Sequence, residues 1–187
     1  MKKYVFILFL SVISISVSAQ KNKENPNKQG EEHKEHVVDY SKNVATVSDV
    51  IETFYHEISG EKEDERDWKL FKFLFHPDAK LITAGKNDER QFQVKFMGSG
   101  DYIKSSEKWM ISNGFIEKEI HRKSEVFGKM AHVFSTFEAF NSKTDEAPII
   151  RGIYSIQLLN DGERWWILNL YWSHETWLHP IPGKYLD

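Results

Sequence analysis

Between Phe115 and His174 the chain carries four long runs rich in β-branched and aromatic side chains, at 115–127, 130–140, 149–159 and 164–174. Short turn signals, Gly128-Lys129 and Asp161-Gly162, separate members of this block, and no helical period interrupts it. Consecutive long strands joined by tight turns have to pair antiparallel, because a parallel connection needs a crossover of a dozen or more residues. The elements ahead of the block supply its cover. Val47, Val50, Ile51, Phe54, Tyr55 and Ile58 recur at helical spacing behind a cap at Thr46 or Ser48, and Gly60 ends that helix. Asp67 caps a shorter helix that runs to Phe75 and is stopped by Pro77. Residues 79–84 and 91–97 read as strands, and Ser99 opens a third helix with Tyr102, Ile103, Trp109 and Met110, closed by Asn113-Gly114. Helices set against a largely antiparallel sheet make an α+β layer fold.

The front of the chain is of a different kind. Residues 1–19 place Lys2 and Lys3 before an apolar stretch that ends in small residues, the layout of a secretory signal cleaved after Ala19. Residues 20–43 are rich in Lys, Glu, Asn and Gln and read as a disordered linker, which leaves 44–187 as the folded domain. The chain contains no cysteine, which removes disulfides, thiol catalysis and thiolate metal sites. An exported protein, periplasmic or extracellular and free of the membrane after signal cleavage, is the expectation. The formal net charge of −3 provides no electrostatic surplus to grip a phosphate backbone, so nucleic acid is not expected as a partner. His33 and His36 in HKEH belong to the linker, and His174, Glu175 and His179 fall outside regular structure. Neither set is read as a metal site, and no cofactor is implied.

Register sorts the hairpin side chains. A two-residue turn at Asp161-Gly162 pairs Gln157 with Trp166, Tyr154 with Asn169 and Arg151 with Trp172. One face then holds Gly152, Tyr154, Ile156 and Leu158 with Trp165, Ile167, Asn169 and Tyr171. The other holds Arg151, Ile153, Ser155 and Gln157 with Trp166, Leu168, Leu170 and Trp172, too apolar for bare solvent. One side packs on the helices and the other requires a cover, most simply a second copy of the chain. At Gly128-Lys129 the same reasoning pairs Arg122 with Ser135, His121 with Thr136 and Glu119 with Glu138. Glu117, Glu119, His121, Lys123 and Glu125 then share a charged face, read as a solvated or interfacial sheet surface.

The order of elements, the segment FHPDAKLITAG and the hairpins EIHRKSEVFGKMAHVFSTFEAF and RGIYSIQLLNDGERWWILNLYW resemble the nuclear transport factor 2-like superfamily, in its SnoaL-like bacterial branch. The resemblance implies a cone: a bent antiparallel sheet wrapped around about three N-terminal helices, enclosing an apolar cavity, with homodimers through the outer sheet face. It covers roughly 44–179. In the ketosteroid isomerase of that superfamily a carboxylate base works with a tyrosine donor. Tyr55 stands where the tyrosine is expected, whereas the base position falls near Thr83, whose hydroxyl is no base at neutral pH.

Two classes of function follow from the resemblance. The first is a small-molecule-binding module without assigned catalysis. Its aromatic-lined cavity includes Phe137, with Tyr55, His76, Arg122, Tyr154, Asn169 and Tyr171 as polar fittings, and its ligand is small and apolar or, through Arg122, anionic. The alternative is an isomerase, dehydratase or cyclase in which Tyr55 works with His76 or His121. The tail after His174, broken by Pro180 and Pro182, is expected to fold back on the body through Trp177, Leu178 and Tyr185.

Overall fold

The computed structural model of the protein describes residues 38–186. The expected signal at 1–19, the HKEH segment and most of the linker lie outside those residues. Of the two alternatives for the first cap, the structure uses Thr46, whose hydroxyl accepts the Asp49 N–H at 3.1 Å while the Asp49 carboxylate accepts the Thr46 N–H at 2.8 Å. Helix α1 (Val47–Ile58) follows, burying Val50, Ile51, Phe54, Tyr55 and Ile58. Asp67 caps α2 (Trp68–Phe73) by accepting the N–H groups of Lys69 and Leu70 at 3.0 and 2.9 Å. Helix α3 (Ser99–Asn113) stops at Gly114, where φ is 76° and a Cβ would stand 2.1 Å from the Asn141 carbonyl oxygen. Order begins ahead of Val44: the Tyr40 ring lies 5.4 Å from that of Phe73, and its hydroxyl donates to Asp67 at 3.0 Å.

Six strands form one sheet: β1 (Phe75–Lys86), β2 (Phe92–Met97), β3 (Ile116–Phe127), β4 (Met130–Phe140), β5 (Ile150–Asn160) and β6 (Trp165–His174). Their order is β2-β1-β6-β5-β4-β3. All neighbours are antiparallel except β1 and β6, which run parallel. The second helix is shorter than predicted and β1 begins earlier, at Phe75, so that Pro77 falls within a strand. Pro77 is tolerated because the β1–β6 ladder is interrupted between Phe75 and Lys80, where no backbone N–H is required. The helices cover one face of the bent sheet, and the core forms between them around Ile51, Phe54, Phe71, Leu81, Ile156 and Leu170.

Two register shifts decide which side chains reach that core. Arg122 pairs with Ser135 and His121 with Thr136, as predicted, but an extra residue then enters β3 between Glu119 and His121. Beyond it Glu119 pairs with Phe137 rather than Glu138, so Glu117 and Glu119 turn to the helix side, away from the predicted charged face. The β5–β6 turn is also longer than expected. Asp161 Oδ1 accepts the N–H groups of Glu163 and Arg164 at 2.8 and 2.9 Å, and the first ladder pair is Asn160 with Trp165. A further shift between Gln157 and Leu158 pairs Gln157 with Asn169 and Tyr154 with Trp172. Leu170 and Trp172 therefore face inward, and Asn169 and Tyr171 face outward, the reverse of the predicted sorting.

The tail lies on the outer face. Tyr185 packs on Phe134 at 5.1 Å between ring centroids, and its carbonyl accepts the Thr136 hydroxyl at 2.8 Å. Trp177 and Leu178, expected to pack, are 88% and 62% exposed; Ile181 is the buried anchor instead. Glu175 holds this turn by accepting the Ile181 N–H at 2.8 Å, and Arg151 pairs with Glu175 at 3.4 Å and Glu138 at 3.3 Å.

Arg164 joins the helical layer to the sheet. Its guanidinium lies over the rings of Phe73 and Trp166, 3.8 and 3.6 Å from their centroids, and donates to the Phe73 carbonyl. Replacing Arg164 with Ala is expected to cost about 1–3 kcal/mol in urea denaturation, with Lys recovering little because it lacks the planar stack.

Candidate functional site

The inward turn of Glu117 creates the site. At the start of β3 its backbone N–H donates to Ser59 Oγ at 2.9 Å, which ties the strand to the end of α1. The side chain projects among the core aromatics and is only 6% exposed. Among the described residues its one side-chain partner is the Tyr154 hydroxyl, which donates to the two carboxyl oxygens at 3.1 and 3.0 Å. Burial raises the Glu117 carboxyl from 4.5 to about 8, against the smaller lowering effect of the Tyr154 hydrogen bond.

Beside this carboxyl is a cavity of about 80 Å³. Phe54, Tyr102, Phe115, Phe137, Tyr154 and Trp172 form most of its wall, and His174 stands at its rim. Phe137 and Tyr154 meet at 4.6 Å between centroids, and Trp172 lies 6.1 Å from Tyr102 and 6.3 Å from Tyr154. Gly152 makes the Phe137 placement possible: a Cβ there would meet the Phe137 ring at 2.7 Å and the Ser173 carbonyl at 2.6 Å. Burial lowers the pKa of His174, and it raises the hydroxyls of Tyr102 and Tyr154 far above the neutral range.

A second buried network lies next to the first and is already satisfied. Tyr55 is hydrogen-bonded to Ser135 at 2.7 Å, and Ser135 in turn donates to Glu119. Arg122 Nε donates to Glu119 Oε1 at 2.8 Å, while Nη1 reaches Ser48 Oγ at 2.8 Å. The Glu119 hydrogen bonds raise the pKa of Arg122, so its charge is fixed and spent inside the network.

The residues predicted from sequence therefore separate. Phe137 and Tyr154 line the cavity. The Tyr55 ring lies 6.1 Å from that of Tyr154, but its hydroxyl is engaged by Ser135. His76 sits elsewhere, its Nδ1 accepting the Asp78 N–H at 3.2 Å and its ring 5.8 Å from Trp166. Asn169 donates to Gln157 at 2.9 Å on the outer face, where Tyr171 is 40% exposed. Sequence reasoning missed Glu117 and Trp172 because an alternation read back from each turn stays in phase past a bulge that no residue type marks. Tyr102, recognised as a helix residue, faces the same space from α3.

No protein-family model matches the sequence, and no curated protein is similar to it in sequence. Solved structures are similar in shape. A candidate scytalone dehydratase from Novosphingobium aromaticivorans matches with a TM-score of 0.53 at 14% identity, over 71% of this chain and 83% of its own. A nuclear transport factor 2-like protein of unknown function from Pseudomonas putida gives 0.54 at 13% identity, over 73% and 90%. The beta subunit of a candidate aromatic-ring-hydroxylating dioxygenase from Novosphingobium aromaticivorans gives 0.53 at 12%, over 73% and 95%.

The Glu117 geometry has a direct thermodynamic consequence. The folded state keeps a proton that the unfolded chain has lost between pH 4.5 and about 8, so this group's contribution is full below 4.5 and is lost as pH rises through 8. Denaturation from pH 5 to 9 should show wild-type stability falling relative to Glu117→Gln up to about pH 8, by up to about tenfold in the folding equilibrium per pH unit, and levelling off above.

Proposed function

Proceeding from a nuclear transport factor 2-like fold, we propose that this chain is an exported, SnoaL-like small-molecule-binding protein whose ligand enters the aromatic cavity beside Glu117. One observation carries the reading: a buried carboxyl group, with Tyr154 as its one side-chain partner among the described residues, beside an open space whose wall includes six aromatic residues. A buried polar group so sparsely satisfied costs folding free energy, and a bound ligand that completes its hydrogen bonding offsets that cost. The surrounding rings supply apolar contact, and Glu117 with Tyr154 supplies orientation. The leader-like residues 1–19 support export. A second copy of the chain is proposed to cover the outer face around β1 and β2, where Phe92, Val94 and Phe96 are 70%, 47% and 65% exposed beside Tyr171.

A catalytic reading has its own support in the opposed shifts of Glu117 and His174. At neutral pH the first is a protonated acid and the second an uncharged base on the rim of the same cavity. In this reading the acid/base pair is Glu117 and His174. Tyr55 is bound to Ser135, His76 lies against Trp166, and His121 shares the outer face with Thr136. His174→Ala should then abolish turnover while leaving ligand affinity within about threefold, read by single-turnover kinetics beside equilibrium binding.

Binding itself is tested by native mass spectrometry of the exported protein from its own organism. Wild type should carry a small molecule released on denaturation, on a dimeric species. Ile150→Trp, which plugs the cavity mouth, should carry none, and should melt as wild type does once both proteins have been stripped of ligand by denaturation and refolding. Equal ligand loading of both proteins would place the site elsewhere.

A further inference from the structure

We propose that the cavity selects a small organic cation, a methylated amine or a quaternary ammonium group, seated among the rings with its positive charge against Glu117. This rests on the cavity being a ligand site and names the class of ligand. Trp172 packs at 6.1 Å from Tyr102 and 6.3 Å from Tyr154 between ring centroids, and these three rings line the space together with Phe54, Phe115 and Phe137. Aromatic faces carry negative potential, and a box of them with one carboxylate is the chemistry that recognises alkylated ammonium groups.

The charge inventory points the same way. Among the described residues no Lys or Arg lines the cavity. Arg122 is bound to Glu119, which removes the basis for expecting an anion. Arg66, also buried, donates to the carbonyls of Ile58, Gly60 and Asp64 at 3.1, 3.0 and 3.0 Å. Among the described residues Glu117 thus forms no ion pair, and a ligand cation provides its counter-ion. An anion would meet the negative potential of the rings and, above pH 8, the Glu117 carboxylate as well. The volume, about 80 Å³, takes a head group of a few heavy atoms. The mouth between Tyr102, Ile150, Trp172 and His174, none of them fully buried, leaves the remainder of a larger ligand outside.

Binding a cation favours the Glu117 carboxylate, so uptake below pH 8 expels its proton. The other titratable groups around Glu117 are Tyr154 from β5, Tyr55 from α1 and Tyr102 from α3, with His174 from β6 on the same cavity, and His56, Asp64 and Lys143 on a second pocket that Glu117 also borders. The tyrosines are shifted upward and His174 downward, so of the groups on the cavity itself Glu117 is the one that changes charge between pH 7 and 8.

The test titrates the purified chain with three probes of similar shape: tetramethylammonium, the neutral 2,2-dimethylpropan-1-ol and the anion pivalate. Tryptophan fluorescence reports occupancy, and calorimetry in buffers of different ionisation enthalpy reports proton release. Tetramethylammonium should saturate and bind at least about tenfold tighter than either other probe. It should release a proton at pH 7 but not at pH 9, with affinity rising by up to about tenfold per pH unit until pH 8. Glu117→Gln, folded by thermal melt, should weaken the cation at least about tenfold and remove the pH dependence. Equal or tighter binding of the alcohol or pivalate, or a Glu117→Gln variant that binds the cation as wild type does, overturns the cation assignment and leaves the cavity as a ligand site. Saturation by none of the three overturns both.

Discussion

An unpaired Ile120 in β3 reverses the parity of the strand, and the interior chemistry depends on that reversal. Side chains alternate across a sheet with a period of two, so a single inserted residue exchanges the faces of everything beyond it. Here the exchange brings Glu117 and Glu119 into a layer otherwise filled with rings and aliphatic chains. The companion shift in β6 brings in Trp172 and turns Asn169 out. Without both, the inner face would carry Ile120 and Lys118 at one strand and Asn169 at the other, and Glu117 would not stand beside the cavity.

The two imported carboxylates have opposite surroundings. Glu119 meets a guanidinium and a serine hydroxyl, and through them reaches α1 at Ser48 and Tyr55. Such a network fixes one arrangement of strand against helix because every member is satisfied. Glu117 meets a tyrosine hydroxyl and little else, in a setting that disfavours its charged form. One acid therefore serves the architecture and the other stays available to chemistry, although they are separated only by Lys118. Sequence proximity says nothing about this division; the partner sets do.

Much of the framework is legible in the sequence, and the reasons are local. The cap at Thr46, the apolar spacing of α1, the stop at Gly114 and the strand block after it are encoded within a turn or two of themselves. The pairing of Arg122 with Ser135 follows from the Gly128-Lys129 turn because no bulge lies between. What fails is nonlocal or depends on one carboxylate. The parallel contact of β1 with β6 has no signature in either strand. The longer loop after Asn160 exists because Asp161 captures two backbone N–H groups, a choice that Asp-Gly composition does not reveal. Phe137 and Tyr154 reach the cavity from strands whose phase was read correctly, whereas Asn169, Tyr171 and Glu117 lie beyond the irregularities.

The central position of the β1–β6 pair also bears on how the chain reaches its native state. Phe75 pairs with Ile167 and Thr83 with Trp172, so the hairpin of β1 and β2 joins the rest of the sheet only through a strand more than eighty residues further along. The long separation in sequence between these partners raises the entropic cost of closing the sheet and slows that step relative to the β3–β4 and β5–β6 hairpins.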